Sequence, residues 1–374
     1  MSFFTIGMNR ARLKPVDKYL ATLLTLLVVG GYIIFNSASL GLLAKSGNQF
    51  SNVAFTQTFF GLFLGALACI LISRWDYKLF KKYAYPILFL GFVLTALVFI
   101  PHVGFAHGGA VRWIQIGSFT FQPSEILKIA VIIFLSAWYS VKKGSAETFN
   151  KGTLPLIIIL VATGAILLAQ PDTDNFFVTV FGALGVYLAA GGRVKHVIAM
   201  GLIGVLLLTV LAIQRPYIRA RLNIFANPNT NVLGSGYQAK QSLIAVGSGG
   251  LTGRGFGKSI QKFTYLPEPI GDSIFAVASE EFGFVGASVI ILIFVLFSMR
   301  CLRVAAHTED TFGRLLVVGI VILLISQAFL NIGAMLGVLP LTGITLPFVS
   351  HGASSLLVVL AEMGIVLAVS RKTT

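Results

Sequence analysis

The sequence predicts an all-α polytopic membrane protein of ten transmembrane helices with both termini on the cytoplasmic side. Three observations lead there. Apolar residues fill 56% of the 374 positions and charged residues only 11%, against roughly a quarter charged in soluble domains. The apolar residues gather in ten runs that, at about 18 residues or more, are long enough to cross a bilayer core as helices. The basic residues collect in every second connection, as expected when short loops rich in Lys and Arg are retained in the cytoplasm.

The runs lie near 19–38, 54–73, 84–101, 122–141, 154–170, 174–191, 196–214, 272–299, 315–337 and 350–370. Arg10, Arg12, Lys14 and Lys18 precede the first; Arg74, Lys78, Lys81 and Lys82 follow the second; Lys142, Lys143 and Lys151 follow the fourth. Arg193 and Lys195 follow the sixth, Arg300, Arg303 and Arg314 surround the connection from the eighth to the ninth, and Arg371 and Lys372 close the chain. The alternate short loops hold only Lys45 and Arg112. The first run lacks a cleavage site matched to a short apolar core, so it is expected to stay as a signal anchor. Cys69 and Cys301 fall in the second span and at the cytoplasmic end of the eighth, too far apart for a disulfide. The chain reads as a single integral membrane domain over 1–374.

Its main irregularity is the large external loop 215–271, which carries Arg215, Arg219, Arg221, Lys240, Arg254, Lys258 and Lys262 against one acid, Glu268. Long loops escape the positive-inside rule, so this charge calls for another cause. Anionic lipid headgroups are one; a phosphate-bearing substrate at the outer face is the other. "RPYIRARLNIF" suits a helix lying in the interface, and the glycines of "GSGGLTGRGFGKS" allow close backbone approach and anion-binding amide nests. The same segment is no P-loop. Thr252 stands where that motif needs glycine, five residues before Gly257, Lys258 and Ser259.

Only thirteen acids exist. Glu125, Glu280, Glu281 and Glu362 fall within the predicted spans, where a charge is costly and usually faces the bundle interior or a wet cavity. Glu125 and Lys128, three apart, share a helix face, either as a structural pair or as organisers of a polar cavity. Asp172, Asp174, Glu268 and Asp272 lie at the external rim. Asp272 follows Gly271 and opens an apolar run, so it can cap the eighth helix or act as a general base at the membrane surface. Asn36, Gln327 and Asn331 on apolar helices are expected to bond between helices, and Trp113 to anchor the interface.

The runs "GGAVRWIQIGSFTFQPSEILK", "GSGYQAKQSLIAVGSGGLTGRGFGKSIQKFTYLPEPIGDSIFAVASEEFGFVG" and "QAFLNIGAMLGVLPLTGITLPFVSHGASSL" resemble the shape, elongation, division and sporulation (SEDS) family over nearly all ten spans, the division-type branch more than the elongation-type. The resemblance implies the SEDS fold and a peptidoglycan glycosyltransferase polymerising lipid II at the outer face of the bacterial cytoplasmic membrane, with Asp272 as catalytic base. It implies Arg112, Glu125, Lys128, Asp172, Lys258, Lys262, Ser350 and Ser354 as substrate-binding residues, and a divalent cation (Mg or Mn) beside them. The implied partners are lipid II, the growing lipid-linked glycan, a class B penicillin-binding protein and other divisome proteins, with no nucleic acid.

The chain departs from the family at several positions. The family's Pro-Asp-x-Gly-Thr reads "PDTDN" here, with Asp174 and Asn175 in place of glycine and threonine; His351 and Ala353 replace tyrosine and glycine, Thr56 replaces a basic residue before Gln57, and Glu362 is unusual. A lipid II flippase and a noncatalytic division scaffold are the competing readings. A flippase needs a polar path through the midplane, whereas these acids and the basic loop concentrate at the rim.

Overall fold

The computed structural model describes residues 15–372 apart from 108–109, 118, 142–143, 215 and 228–234. Arg10, Arg12, Lys14, Lys142, Lys143 and Arg215 lie outside the described residues.

The chain is mostly helical. Eight helices are long and apolar enough to cross a membrane: α1 (Lys18–Lys45), α2 (Gly47–Ile72), α4 (Pro123–Ser140), α5 (Phe149–Ala169), α7 (Val194–Gln214), α11 (Ile274–Ala306), α12 (Thr311–Met335) and α13 (Ala353–Ser370). Two shorter apolar helices are α3 (Ala84–Phe99) and α6 (Thr173–Ala189). The long loop between α7 and α11 supplies α8 (Pro216–Ala226), α9 (Ser235–Ser248) and the short α10 (Gln261–Thr264). The middle of α2, Thr56–Phe63, is wound as a π-helix.

Burial separates core helices from peripheral ones. The apolar windows of α4 and α13 are 83% and 89% buried, whereas no residue in that of α7 is. A helix apolar all round and enclosed by protein forms a bundle centre; one equally apolar and bare needs lipid around it. Around that centre α12 packs on α4, α6 and α11, and α13 on α2. The free cysteines Cys69 and Cys301 are both buried.

Two expectations need correction. The chain is not all-α: β1 (Gly104–His107), β2 (Ala110–Ile116) and β3 (Phe119–Phe121) form an antiparallel sheet in register Gly104↔Ile114 and Ile114↔Phe121. The segment is rich in aromatic and β-branched residues, and Gly117, at φ 63°, begins the turn from β2 to β3. The eighth helix also extends further than the 272–299 run, to Ala306. α11 breaks at Gly283 (φ 68°, ψ −167°). Its 33 residues would measure about 50 Å at 1.5 Å each, against a core of about 30 Å. Glu280 and Glu281 sit on the Asp272 side of the break, and the stretch 284–306 beyond it measures about 34 Å.

Candidate active site

Asp272 closes a turn that begins at Glu268, a residue in the left-handed region (φ 46°) between two prolines. The Glu268 carbonyl accepts from the amides of Gly271 (3.0 Å) and Ser273 (3.3 Å). Three successive carbonyls of this turn are then held from outside. The His351 amide donates to Ile270 O (2.7 Å), the Ser350 hydroxyl to Gly271 O (2.7 Å) and the Asn331 side-chain amide to Asp272 O (2.8 Å). The Ser350 hydroxyl in turn accepts from the Leu346 amide (2.8 Å), and Gln57, in the π-helical part of α2, grips the loop from its other side by donating to Ser350 O (3.3 Å) and accepting from the Gly352 amide (3.1 Å). Bonds of this kind to main-chain groups make the position of Asp272 a property of the fold.

The carboxylate itself is partly buried. Its Oδ1 accepts from Gln238 Nε2 of α9 (3.1 Å) and from the Ser273 hydroxyl (3.5 Å). It does not cap α11, as local sequence allowed: Ser273 holds the N-cap position and no side chain caps it. Gln238 draws the carboxylate to the loop side instead. Enclosure by protein pushes its pKa up to about 7; the donors Gln238 and Ser273 oppose that rise and the Glu268 charge adds to it. Such a group is poised to take or give a proton near neutral pH.

On α12, Gln327 and Asn331 are one turn apart and so share a face. Gln327 Nε2 donates to Thr345 O (3.0 Å) and Asn331 Nδ2 to Ile344 O (2.7 Å). The Gln327 carbonyl accepts from Lys128 (3.1 Å), which also bonds Glu125 Oε1 (3.1 Å) and Asn175 (3.0 Å). Ser355 reaches the other Glu125 oxygen (3.4 Å), and Ser354 is buried beside it in the first turn of α13. The expected Glu125–Lys128 pair is therefore one part of a network that runs through residues 344–345 to the Asp272 backbone. Asn36 bonds within its own helix, to Tyr32 O (2.8 Å), and not between helices.

The two acids of "PDTDN" each hold an arginine. Asp172 lies 3.7 Å from Arg112 of β2 and accepts from Gln122, Ser124 and Asn175, while Arg112 also bonds the carbonyls of Gln170 and Pro171. Asp174 takes Arg221 of α8 through both oxygens (2.8 and 2.9 Å) together with the Gly343 amide (3.2 Å).

Lys262 lies elsewhere. It is fully buried, paired with Glu281 at 2.6 Å and bonded to Ser37 of α1. Glu280 accepts from Ser259 and from the amides of Ile260 and Gln261 at the start of α10. The glycine-rich run offers no amide nest at residues 254–255, because those amides bond the carbonyls of Glu280 and Glu281 freed by the break at Gly283. Lys258 is exposed.

Sequence reasoning missed Gln238. It stood in the quoted run "GSGYQAKQ", but nothing local separates it from Gln241 as a partner for a carboxylate 34 positions away.

A bundle of long apolar helices, with a carboxylate held on a pinned turn beside a basic loop, is the architecture of a multi-pass membrane protein. The cell cycle protein family that groups FtsW, RodA and SpoVE matches residues 17–374. Stage V sporulation protein E of Bacillus subtilis is 38% identical over 93% of this chain and 94% of its own, and the "Probable peptidoglycan glycosyltransferase FtsW" of Geobacter sp. strain M18 is 36% identical over 96% and 98%. Among solved structures, a chain of a peptidoglycan synthase complex that coordinates polymerization and crosslinking superposes with TM-score 0.78 at 26% identity, over 96% of this chain and 98% of that one. The rod shape determining protein RodA of Thermus thermophilus superposes with TM-score 0.69 at 26% identity, over 96% and 97%. The chain belongs to the FtsW/RodA/SpoVE, or SEDS, family of bacterial inner-membrane proteins.

Proposed function

We propose that this protein polymerises lipid II into glycan strands at the outer face of the cytoplasmic membrane, in septal cell-wall synthesis, as a ten-span protein with both termini inside. The observation that carries the reading is Asp272: a partly exposed carboxylate outside the spans, on a turn whose three last carbonyls are all held, with its pKa pushed up to about 7.

In the proposed reaction the 4-hydroxyl of the acceptor N-acetylglucosamine attacks the anomeric carbon of the lipid-linked donor. The new glycosidic bond forms as the bond to the pyrophosphate oxygen breaks. Asp272 takes the hydroxyl proton, and undecaprenyl pyrophosphate leaves with the bonding electrons. Lys258 and Lys240, exposed on the external loop, offer charge for the developing pyrophosphate. Lys262, buried and paired, is left out of that role, as is the Ser350 hydroxyl, whose bonds are made within the fold. No group of three or more His, Cys, Asp or Glu that could hold a metal ion occurs among the described residues, and no step is routed through a cation. The proposed partner is a class B penicillin-binding protein that crosslinks the product.

The test gives lipid II to the purified protein with that partner and resolves the glycan on gels. Wild type is expected to yield polymer and Asp272→Ala at least about 100-fold less, the lower range of general-base effects. Equal polymer from both sinks the assigned base; none from either favours the flippase or scaffold reading.

A further inference from the structure

Among the described residues, Gln238 is the one side chain from outside the turn that hydrogen-bonds the Asp272 carboxylate. It reaches the site because α9 packs along α11, with Ser242 and Ala245 of α9 buried and Gly249, just past its end, lying close against Ser279 of α11. Gln238 lies one helical turn before Ser242 on that side, which sets its amide against the Asp272 turn. Nε2 has two hydrogens, and the structure gives it two acceptors: Asp272 Oδ1 at 3.1 Å and Ser273 Oγ at 3.0 Å. The reversed amide would aim a carbonyl oxygen at the carboxylate, so the chemistry of the acceptors decides its orientation.

We propose that Gln238 is a positioning residue for Asp272, fixing the direction of its carboxylate and favouring its charged form by donating to Oδ1. A donor to the ionised form stabilises it, and here it works against enclosure by protein, which favours the neutral acid. The charged side chain that acts on Asp272 is Glu268, in the same turn. The neighbouring elements present neutral groups: the Gln238 amide from α9, the Asn331 amide from α12, and the Ser350 hydroxyl and His351 main-chain amide from the 346–352 loop. Gln238 is thus the element by which the external loop sets the proton affinity of the site.

The inference rests on Asp272 as base, and two readouts keep the two ideas separable. The first is the pH profile of lipid II polymerisation for wild type, Gln238→Met and Gln238→Glu, each assembled with the partner. Wild type should gain activity as pH rises through about 7, because the base must be ionised. Gln238→Met, close in size but without a donor, should move that midpoint up by about one pH unit, the scale of one hydrogen bond to a charged group. The rate then falls about tenfold at pH 6 and recovers to within about twofold at pH 9. Gln238→Glu, which sets a second carboxylate at the same place, should move it further. A loss equal at every pH, with an unmoved midpoint, overturns the proposal. The second readout is the infrared carboxyl band of Asp272, assigned by difference from Asp272→Asn. Its midpoint should shift in the same two variants, whether or not Asp272→Asn polymerises, and an unmoved band overturns the positioning role. Asp272→Asn retaining full activity would sink the base alone.

Discussion

Lys262 illustrates what one residue costs and contributes in a low-dielectric setting. Its ammonium is out of water and held by Glu281 and Ser37, so removing it strands a buried carboxylate. Lys262→Met is expected to lower stability by about 3–5 kcal/mol, read as a fall in the melting temperature of the detergent-solubilised protein. Adding Glu281→Gln should recover most of that loss together with polymerisation. A lysine that bound the lipid pyrophosphate would leave the double variant folded but inactive. The sequence showed Lys262 as one of seven basic loop residues and Glu281 as a costly acid in a span; that each answers the other is not visible from either, since they lie on separate local motifs 19 positions apart.

At the scale of the element, α11 is the informative case. Its break at Gly283 frees main-chain groups, and residues 250–255 satisfy them: the amides of Arg254 and Gly255 bond Glu280 O and Glu281 O, and those of Phe284 and Val285 bond Gly250 O and Leu251 O. A buried break such as this persists only where protein supplies partners for the freed groups. Gly283→Ala forces an alanine to φ 68° and presses its methyl onto Gly253 N. The strain is worth about 1–3 kcal/mol, and differential scanning fluorimetry should register a melting temperature several degrees lower, with lipid II polymerisation falling alongside. The apolar run itself was plain in the sequence. Its break at Gly283 was not, because hydropathy reports which residues tolerate burial, not where the backbone bends; the sheet over 104–121 escaped for a related reason, lying between two strong helical signals.

For the whole molecule, Asp174 joins three parts of the chain: α6 carries it, α8 presents Arg221, and the segment before α13 offers the Gly343 amide. Gly343 is followed by Ile344 and Thr345, which α12 grips through Asn331 and Gln327, so the loop helix is tied to the framework that holds Asp272. The pair is partly exposed, with 28% of the Arg221 side chain accessible, and such pairs contribute about 1 kcal/mol or less. Asp174→Gly and Arg221→Ala should therefore barely change the melting temperature, yet each should speed hydrogen exchange over 216–226 several-fold, and the double variant should match the singles. Unchanged exchange there would show that α8 is held by other contacts.

The amino-acid sequence by itself determined that this chain lives in a membrane, with its helical runs, its long basic loop and Asp272 at the end of that loop, because hydropathy, charge distribution and motif spacing are local quantities. The tertiary structure decided which charges are spent and which are available. Arg112, Arg221 and Lys262 are each engaged by an acid, Asp272 is turned from the helix end toward Gln238, and its turn is held by residues as distant as Asn331 and Ser350. Those outcomes depend on which groups meet once water and lipid are excluded. Spacing along the chain carries no record of that, because the partners lie tens to hundreds of positions apart.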